Sequence, residues 1–468
     1  MLLINKRECV LTLLLLAAAE SPALADAHEF EVLVDAGLER LTVVARLASP
    51  VARLSARSSE ATRYLDRIER CDGAQLQLRG RPVDLAPEPG DCVRYTVDLA
   101  ALADDDRRNA SLDPGNLLAS PAAWLWRPSS RDRRDVVVTF ELPEGIAVSP
   151  PWEPIDADRQ RYRVRPSPES ADAAVAFGRF AGVERAIPGA TLQIALMKPR
   201  DEPAPADLAD WVTAAAANVA LSYGRFPNPD AHVVVIPVGN TGRPSASPVP
   251  FGRVIRDGGE SVELFVNQHG ALDSFYDDWT ATHEFSHFML PYVSWRQRWI
   301  SEGFAQYYQN VLLARAGQYE IQRAWQKIYE GFERGRRARP ELSPNEAAEQ
   351  RPRGATMKIY WAGAALALEA DVELRRRAGG SRSLDSVLDA FATCCLPSKR
   401  TWSGRALFEK FDSLAGEAVF IPLYERYANS AEFPDYGAVM DTLGLDVPGG
   451  RVELLSLIHI SEPTRPAP

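Results

Sequence analysis

The run Thr282-His283-Glu284-Phe285-Ser286-His287, followed after a fourteen-residue connector by Glu302, constrains this chain more than any other stretch. Two histidines four apart lie one turn apart on a helix, so their rings can close on one cation, with the intervening glutamate beside the open coordination position. The fold must therefore supply one helix for the pair and a second, close by, for Glu302. Zinc in a catalytic site takes three protein ligands and a water, and His283, His287 and Glu302 complete such a set. A chance match on a buried amphipathic helix is the alternative. With six histidines in the chain its probability is on the order of one per cent. Glu302 also lies in an aromatic, apolar stretch, where an unpaired carboxylate is costly to bury. One Zn2+ per chain is the expectation.

At 468 residues the chain exceeds one ordinary core and suggests two or three domains. A net charge of −10 argues against nucleic acid or an anionic membrane as partner. Arg334, Arg336, Arg337 and Arg339 cluster, but acids interrupt the neighbourhood, so they read as a solvated helix end. Residues 1–25 read as a signal peptide: Lys6 and Arg7, an apolar run over 10–19, then Ala23-Leu24-Ala25 as the cleavage site. The run is too short to span a bilayer, and no later stretch reaches the required length of about twenty residues. The expected location is exported, periplasmic or extracellular.

Cys9 falls in that leader. In an oxidising compartment Cys71 and Cys92 are the natural pair, because they bracket a strand-like segment and a Pro- and Gly-rich loop. Cys394 and Cys395 are adjacent and read as packing or a vicinal disulfide.

Short period-two runs broken by Pro, Gly and Asp predict a β-rich domain over 26–185, a β-sandwich in the modest reading. Leu41, Val43, Ala45 and Leu47 alternate with Thr42, Val44 and Arg46, and a second strand over 136–142 ends at Pro143. Turns are expected at Pro150-Pro151 and near Pro166 and Pro168. Strands at 191–196, 233–237 and 252–266, a helix over 206–223 and the helix carrying His283 make a catalytic domain over 186–315. Pro291 stops that helix. Helices over 299–316, 320–334, 360–377 and 384–393 make a helical domain over 316–450, with Ser383 as an N-cap. Residues 456–468, SLIHISEPTRPAP, share neither periodicity nor turn logic with the rest and read as a non-native tail.

HEFSH, then WISEGFAQYYQNVLLARAG, then YWAGAALALEADVELRRRAGGSRSLDSVLDAF, resemble the glycyl aminopeptidase family of gluzincins, relatives of aminopeptidase N and thermolysin. The similarity is strongest over 281–444. It implies a multidomain α+β protein with an N-terminal β-sandwich, a thermolysin-like zincin catalytic domain and a C-terminal helical domain. It also implies a zinc-dependent exopeptidase acting on peptide or protein. The segment over 250–260 carries no clear counterpart of the aminopeptidase N motif whose glutamate holds the substrate amine, and Phe288-Met289-Leu290-Pro291 follows the second histidine. An exported aminopeptidase is expected; a metallo-endopeptidase and a non-catalytic peptide-binding module remain open.

Glu284 is the expected general base on a zinc-bound water. Tyr360, in Tyr360-Trp361-Ala362-Gly363, resembles the tyrosine segment that lines gluzincin sites, which makes it the expected oxyanion donor; otherwise it is a tyrosine packed at a helix start. Gln306, one turn after Glu302, is a candidate partner for a ligand histidine, or an exposed helical glutamine. Asp257 and Glu260 are candidates for binding a substrate's α-amine, although Asp-Gly-Gly is also an ordinary turn. His28, His232 and His269 have no partner at ligand spacing and read as structural or surface residues.

Overall fold

The computed structural model describes residues 26–455, apart from 77–81, 86–90, 106–109, 114, 129–131, 133, 157–159, 166–172, 198–206, 239–246 and 257. The expected leader, the turn near Pro166, Asp257 and the tail at 456–468 lie outside the described residues.

Alternation builds the N-terminal part. His28–Val34 buries His28, Phe30, Val32 and Val34 while Glu29, Glu31 and Leu33 face outward, the period-two signature of a sheet with one wet face. This strand pairs in parallel with Val136–Glu141 and antiparallel with Arg40–Arg46, near the middle of a seven-stranded sheet. A four-stranded sheet ending at Val175–Gly178 and Ala147–Ser149 lies with it. Their inner faces share one core, with Trp124, Trp126, Phe140, Trp152 and Phe177 at its centre. Cys71 and Cys92 join neighbouring antiparallel strands of the larger sheet, S–S 2.01 Å, and the Cys71 amide donates to the Cys92 carbonyl at 2.9 Å. Cys394 and Cys395 are also bonded to each other.

A five-stranded mixed sheet follows, ordered Ala181–Ile187, Ala190–Leu196, Asp230–Val238, Glu260–Asn267, Phe251–Arg256. Its first strand straddles the boundary expected at 185 and pairs along its whole length with the second. Helix Leu208–Val219 makes the crossover between the parallel strands Ala190–Leu196 and Asp230–Val238. It is shorter than the expected 206–223, because Ala220 to Gly224 turn out of the helix in single-turn hydrogen bonds. Phe251–Arg256 closes the sheet as an antiparallel edge strand, with Phe251 at 55% exposure. Among the described residues no further strand pairs its outer side.

From Thr280 onward the chain is mostly helical. One apolar core runs from Ile187 to Ala428, through the mixed sheet and the helices alike. The two large cores among the described residues are thus that of the β-rich part and this one, and most helices complete the interior of the mixed sheet, with smaller apolar clusters around Leu313 and Tyr319 and around Met440 and Val452. Among the described residues no helix is long and apolar enough to cross a membrane. Arg334, Arg336, Arg337 and Arg339 face Glu330, Glu333 and Glu341 in ion pairs, as a solvated helix end should.

Candidate metal centre

Helix Thr280–Ser286 is buried over its full length and tightens into a 3-10 turn at His287–Met289. His283 and His287 lie one turn apart, ring centroids 4.9 Å from each other. Glu302 arrives from helix Arg298–Arg315, which packs directly on the first. Its Oε2 stands 3.5 Å from Nε2 of His283 and 3.6 Å from Nε2 of His287. One ligand atom from each of the three residues lies within 4.8 Å of the others, and two imidazole nitrogens with a carboxylate oxygen are a donor set that suits zinc.

Both rings are held from behind. Nδ1 of His283 donates to Gln309 Oε1 at 2.8 Å, and Nδ1 of His287 contacts Ser301 Oγ at 3.0 Å. Each contact leaves Nε2 to face the cation position. Gln306 was a candidate partner for a ligand histidine; Gln309 stands behind His283 and Ser301 behind His287. A helix turns by 100° per residue, so the seventh residue after Glu302 returns to within about 20° of its direction, whereas the fourth is off by about 40°. Gln306 is buried, and its carbonyl accepts from the Asn310 amide. Spacing alone did not separate the two glutamines, and Ser301, adjacent to Glu302, gave no signal of its own.

The histidines and the two carboxyls act on one another's charge. Burial pushes the Glu302 carboxyl upward, but hydrogen bonds from His283 and His287 outweigh it and hold the group well below the usual carboxylate range. Burial alone would lower His283; Glu302 and Glu284 reverse this and leave it raised. Glu284 is raised by burial and by Glu302, against the opposing pull of the two histidines. Such a carboxyl, poised above its ordinary value, is a better proton acceptor than an exposed one.

Glu284 lies against the edge strand. A Cβ on Gly252 would stand 2.7 Å from Glu284 Cγ, so only glycine lets the strand come this close. The strand is thereby laid beside the metal group, where an extended peptide adding to its outer side would run. Tyr360 comes from helix Thr356–Arg377, one turn inside it and not at its start. Its ring is 6.1 Å from that of His283. Burial, with Glu302 and Glu284 adding to it, raises the phenol's pKa, so it stays a donor at neutral pH. The approach depends on glycine again: a Cβ on Gly303 would lie 2.3 Å from the Gly363 Cα.

The other expected residues are elsewhere. Glu260 pairs with Arg256, its cross-strand neighbour at the hairpin end, Oε2 to Nε 2.7 Å. Nη2 of Arg256 then donates to the carbonyls of His287 and Leu290, at 3.1 and 3.2 Å. Glu260 therefore stands behind the end of the histidine helix, where a carboxylate satisfies a buried guanidinium, instead of at the metal group. His28 meets Asp132 at 3.1 Å and the Ala48 amide. His232 is buried between Ser149 and Ser261, and His269 lies on an exposed turn beside Gln268.

No family model and no curated relative match the chain. Solved structures do. An aminopeptidase N family protein from Idiomarina loihiensis superposes with a TM-score of 0.67 at 14% identity, over 89% of this chain and 78% of that one. An M1 zinc metallopeptidase from Deinococcus radiodurans, as a point mutant bound to a Tyr-Ser-Ala substrate, gives 0.53 at 14% identity, over 88% of this chain and 95% of that one. The unmutated Deinococcus enzyme gives 0.53 at 14% identity, over 87% and 94%. The chain thus has the multidomain α+β fold of these M1 zinc metallopeptidases, with a His283, His287, Glu302 group able to hold a metal.

Proposed function

We propose that the protein is a zinc-dependent peptide hydrolase, exported and acting as an aminopeptidase. The observation that carries this is the convergence of three ligand side chains beside a buried carboxylate and an open edge strand. His283, His287 and Glu302 would hold one Zn2+. When bound, zinc supplies Lewis acidity, bringing the pKa of water to about 7 and polarising a carbonyl. The substrate backbone lies along Phe251–Arg256. Glu284 takes a proton from the attacking water as its oxygen bonds to the peptide carbonyl carbon, and delivers it to the amine nitrogen as the C–N bond breaks. The Tyr360 hydroxyl donates to the oxyanion that forms between these steps. The fold's likeness to an enzyme solved with Tyr-Ser-Ala supports a peptide as substrate. On this reading residues 26–185 are the β-rich domain, 186–315 the catalytic one, with strand Ala181–Ile187 counted to it, and 316–450 its helical wall.

One observation favours a metallo-endopeptidase as the second reading. Glu260 and Glu263, the described acids of the edge hairpin, both face arginines, Arg256 and Arg253. Neither is left to receive a substrate's amine.

Zinc content and turnover of two variants test the roles. Glu302→Ala should lose the metal; Glu284→Gln should keep it and lose hydrolysis of an unblocked peptide. Equal zinc loss in both would overturn the assignment. Parallel assays on free-amine and N-acetylated peptides separate the two readings.

A further inference from the structure

Arg298 opens the helix that carries Glu302, four residues before it and so on the same face. Its Nε is shut away from solvent without a hydrogen-bond partner, and among the described residues its guanidinium has no carboxylate at ion-pair distance. Glu302 does not serve it, because that carboxylate is turned onto the two histidines. A second cation stands near. Helix Pro344–Gln350 packs on the 3-10 turn Trp295–Gln297 just before Arg298, tied there by the Arg296–Glu349 pair at 3.4 Å. That helix is capped by Arg351, held in the left-handed region at φ 48° and likewise without an ion-pair partner among the described residues. The two charges repel: Arg298 is lowered by burial first and by Arg351 next, while Glu302 and Tyr360 act the other way. A half-buried guanidinium beside a like charge is costly unless an anion joins it. With a cation held by His283, His287 and Glu302, the locality is more positive still.

We propose that Arg298 and Arg351 form a carboxylate-binding site beside the metal group, and that the substrates are short peptides whose free C-terminal carboxylate docks there. This rests on the peptidase reading above and narrows it to peptides short enough to reach from the metal group to the arginine pair. A guanidinium is suited to this task because its planar fork matches a carboxylate's two oxygens.

Three probes separate the source of the carboxylate: trialanine, trialanine amide, and the amide of alanyl-glutamyl-alanine. Binding is measured by calorimetry on zinc-loaded Glu284→Gln protein, and hydrolysis on the unaltered protein. Trialanine should bind and be cleaved better than its amide by roughly 10- to 100-fold, the scale of a charge-assisted hydrogen bond. Arg298→Gln should collapse that ratio toward 1, and Arg298→Lys should restore part of it. Arg351→Asn, which tolerates the left-handed backbone, should lower the ratio independently of any folding defect at Arg298. Equal binding of the three peptides, or a ratio insensitive to both arginines, overturns the proposal. Preference for the glutamyl amide alone also overturns it, by assigning the site to side chains. Protein that binds trialanine selectively but cleaves nothing fails the peptidase reading and keeps this one; protein that cleaves acid and amide alike does the reverse.

Discussion

Gln309 orients one ring of the candidate metal site. By accepting from Nδ1 of His283 it fixes which nitrogen carries the proton and leaves Nε2 as a ligand. Replacing Gln309 with Leu should weaken zinc binding about 10- to 100-fold, measured by competition with a chelator, while Gln306→Leu should change it much less. Tyr360→Phe should leave zinc content unaltered and lower turnover about 100-fold, with little change in the Michaelis constant, because on the proposed mechanism its hydroxyl would meet charge that exists mainly in the transition state. Near-normal turnover on an unblocked peptide would make it a packing residue. At this scale the ligand set was legible, since a metal demands particular donors at helical spacing. Partners such as Ser301 and Gln309 were not, because serine and glutamine on a helix look alike whether they face a ligand or a neighbouring turn. Arg298 escaped notice for a related reason: its meaning lies in the acid it lacks.

At the level of elements, glycines set the distances. Gly252 lets the edge strand lie against Glu284, and Gly303 with Gly363 lets the helices bearing Glu302 and Tyr360 touch backbone to backbone. Gly252→Ala would place a methyl 2.7 Å from Glu284 Cγ in a buried setting, so the Glu284 carboxylate must swing away. Turnover should fall at least tenfold with zinc retained, on the scale of misplacing a catalytic group by about 1 Å. Gly363→Ala meets the Trp299 carbonyl at 2.1 Å instead and should cost about 1–3 kcal/mol of stability, read by denaturant unfolding. The helices themselves were legible from periodicity, and that over Arg298–Arg315 lies within a residue of its expected bounds. Their crossing was not, because no spacing rule says which glycine meets which across a gap of sixty residues.

Across the whole molecule, His232 links the β-rich part to the mixed sheet, with Ser149 at 2.8 Å on one side and Ser261 at 3.0 Å on the other. Burial holds it neutral, with a pKa of about 3 against the ordinary 6.5. Between those values the unfolded chain binds a proton that the folded one refuses, so stability falls as pH drops from 6.5 toward 3. The slope from this one group is up to about 1.4 kcal/mol per pH unit. Denaturant unfolding from pH 7 to pH 4 should show a flatter decline for His232→Gln than for the unaltered protein; parallel curves would show that the imidazole is not kept neutral. The β-rich and helical halves were visible from the sequence. That the helices finish the core of the sheet was not, since each helix is amphipathic whichever partner covers it. On the peptidase reading, the open outer side of Phe251–Arg256 would also govern what can be processed at all. A chain that docks by adding a strand must already be stretched out, so helices and intact domains are turned away before any side chain is inspected. On that reading the site would select for looseness first and for sequence second.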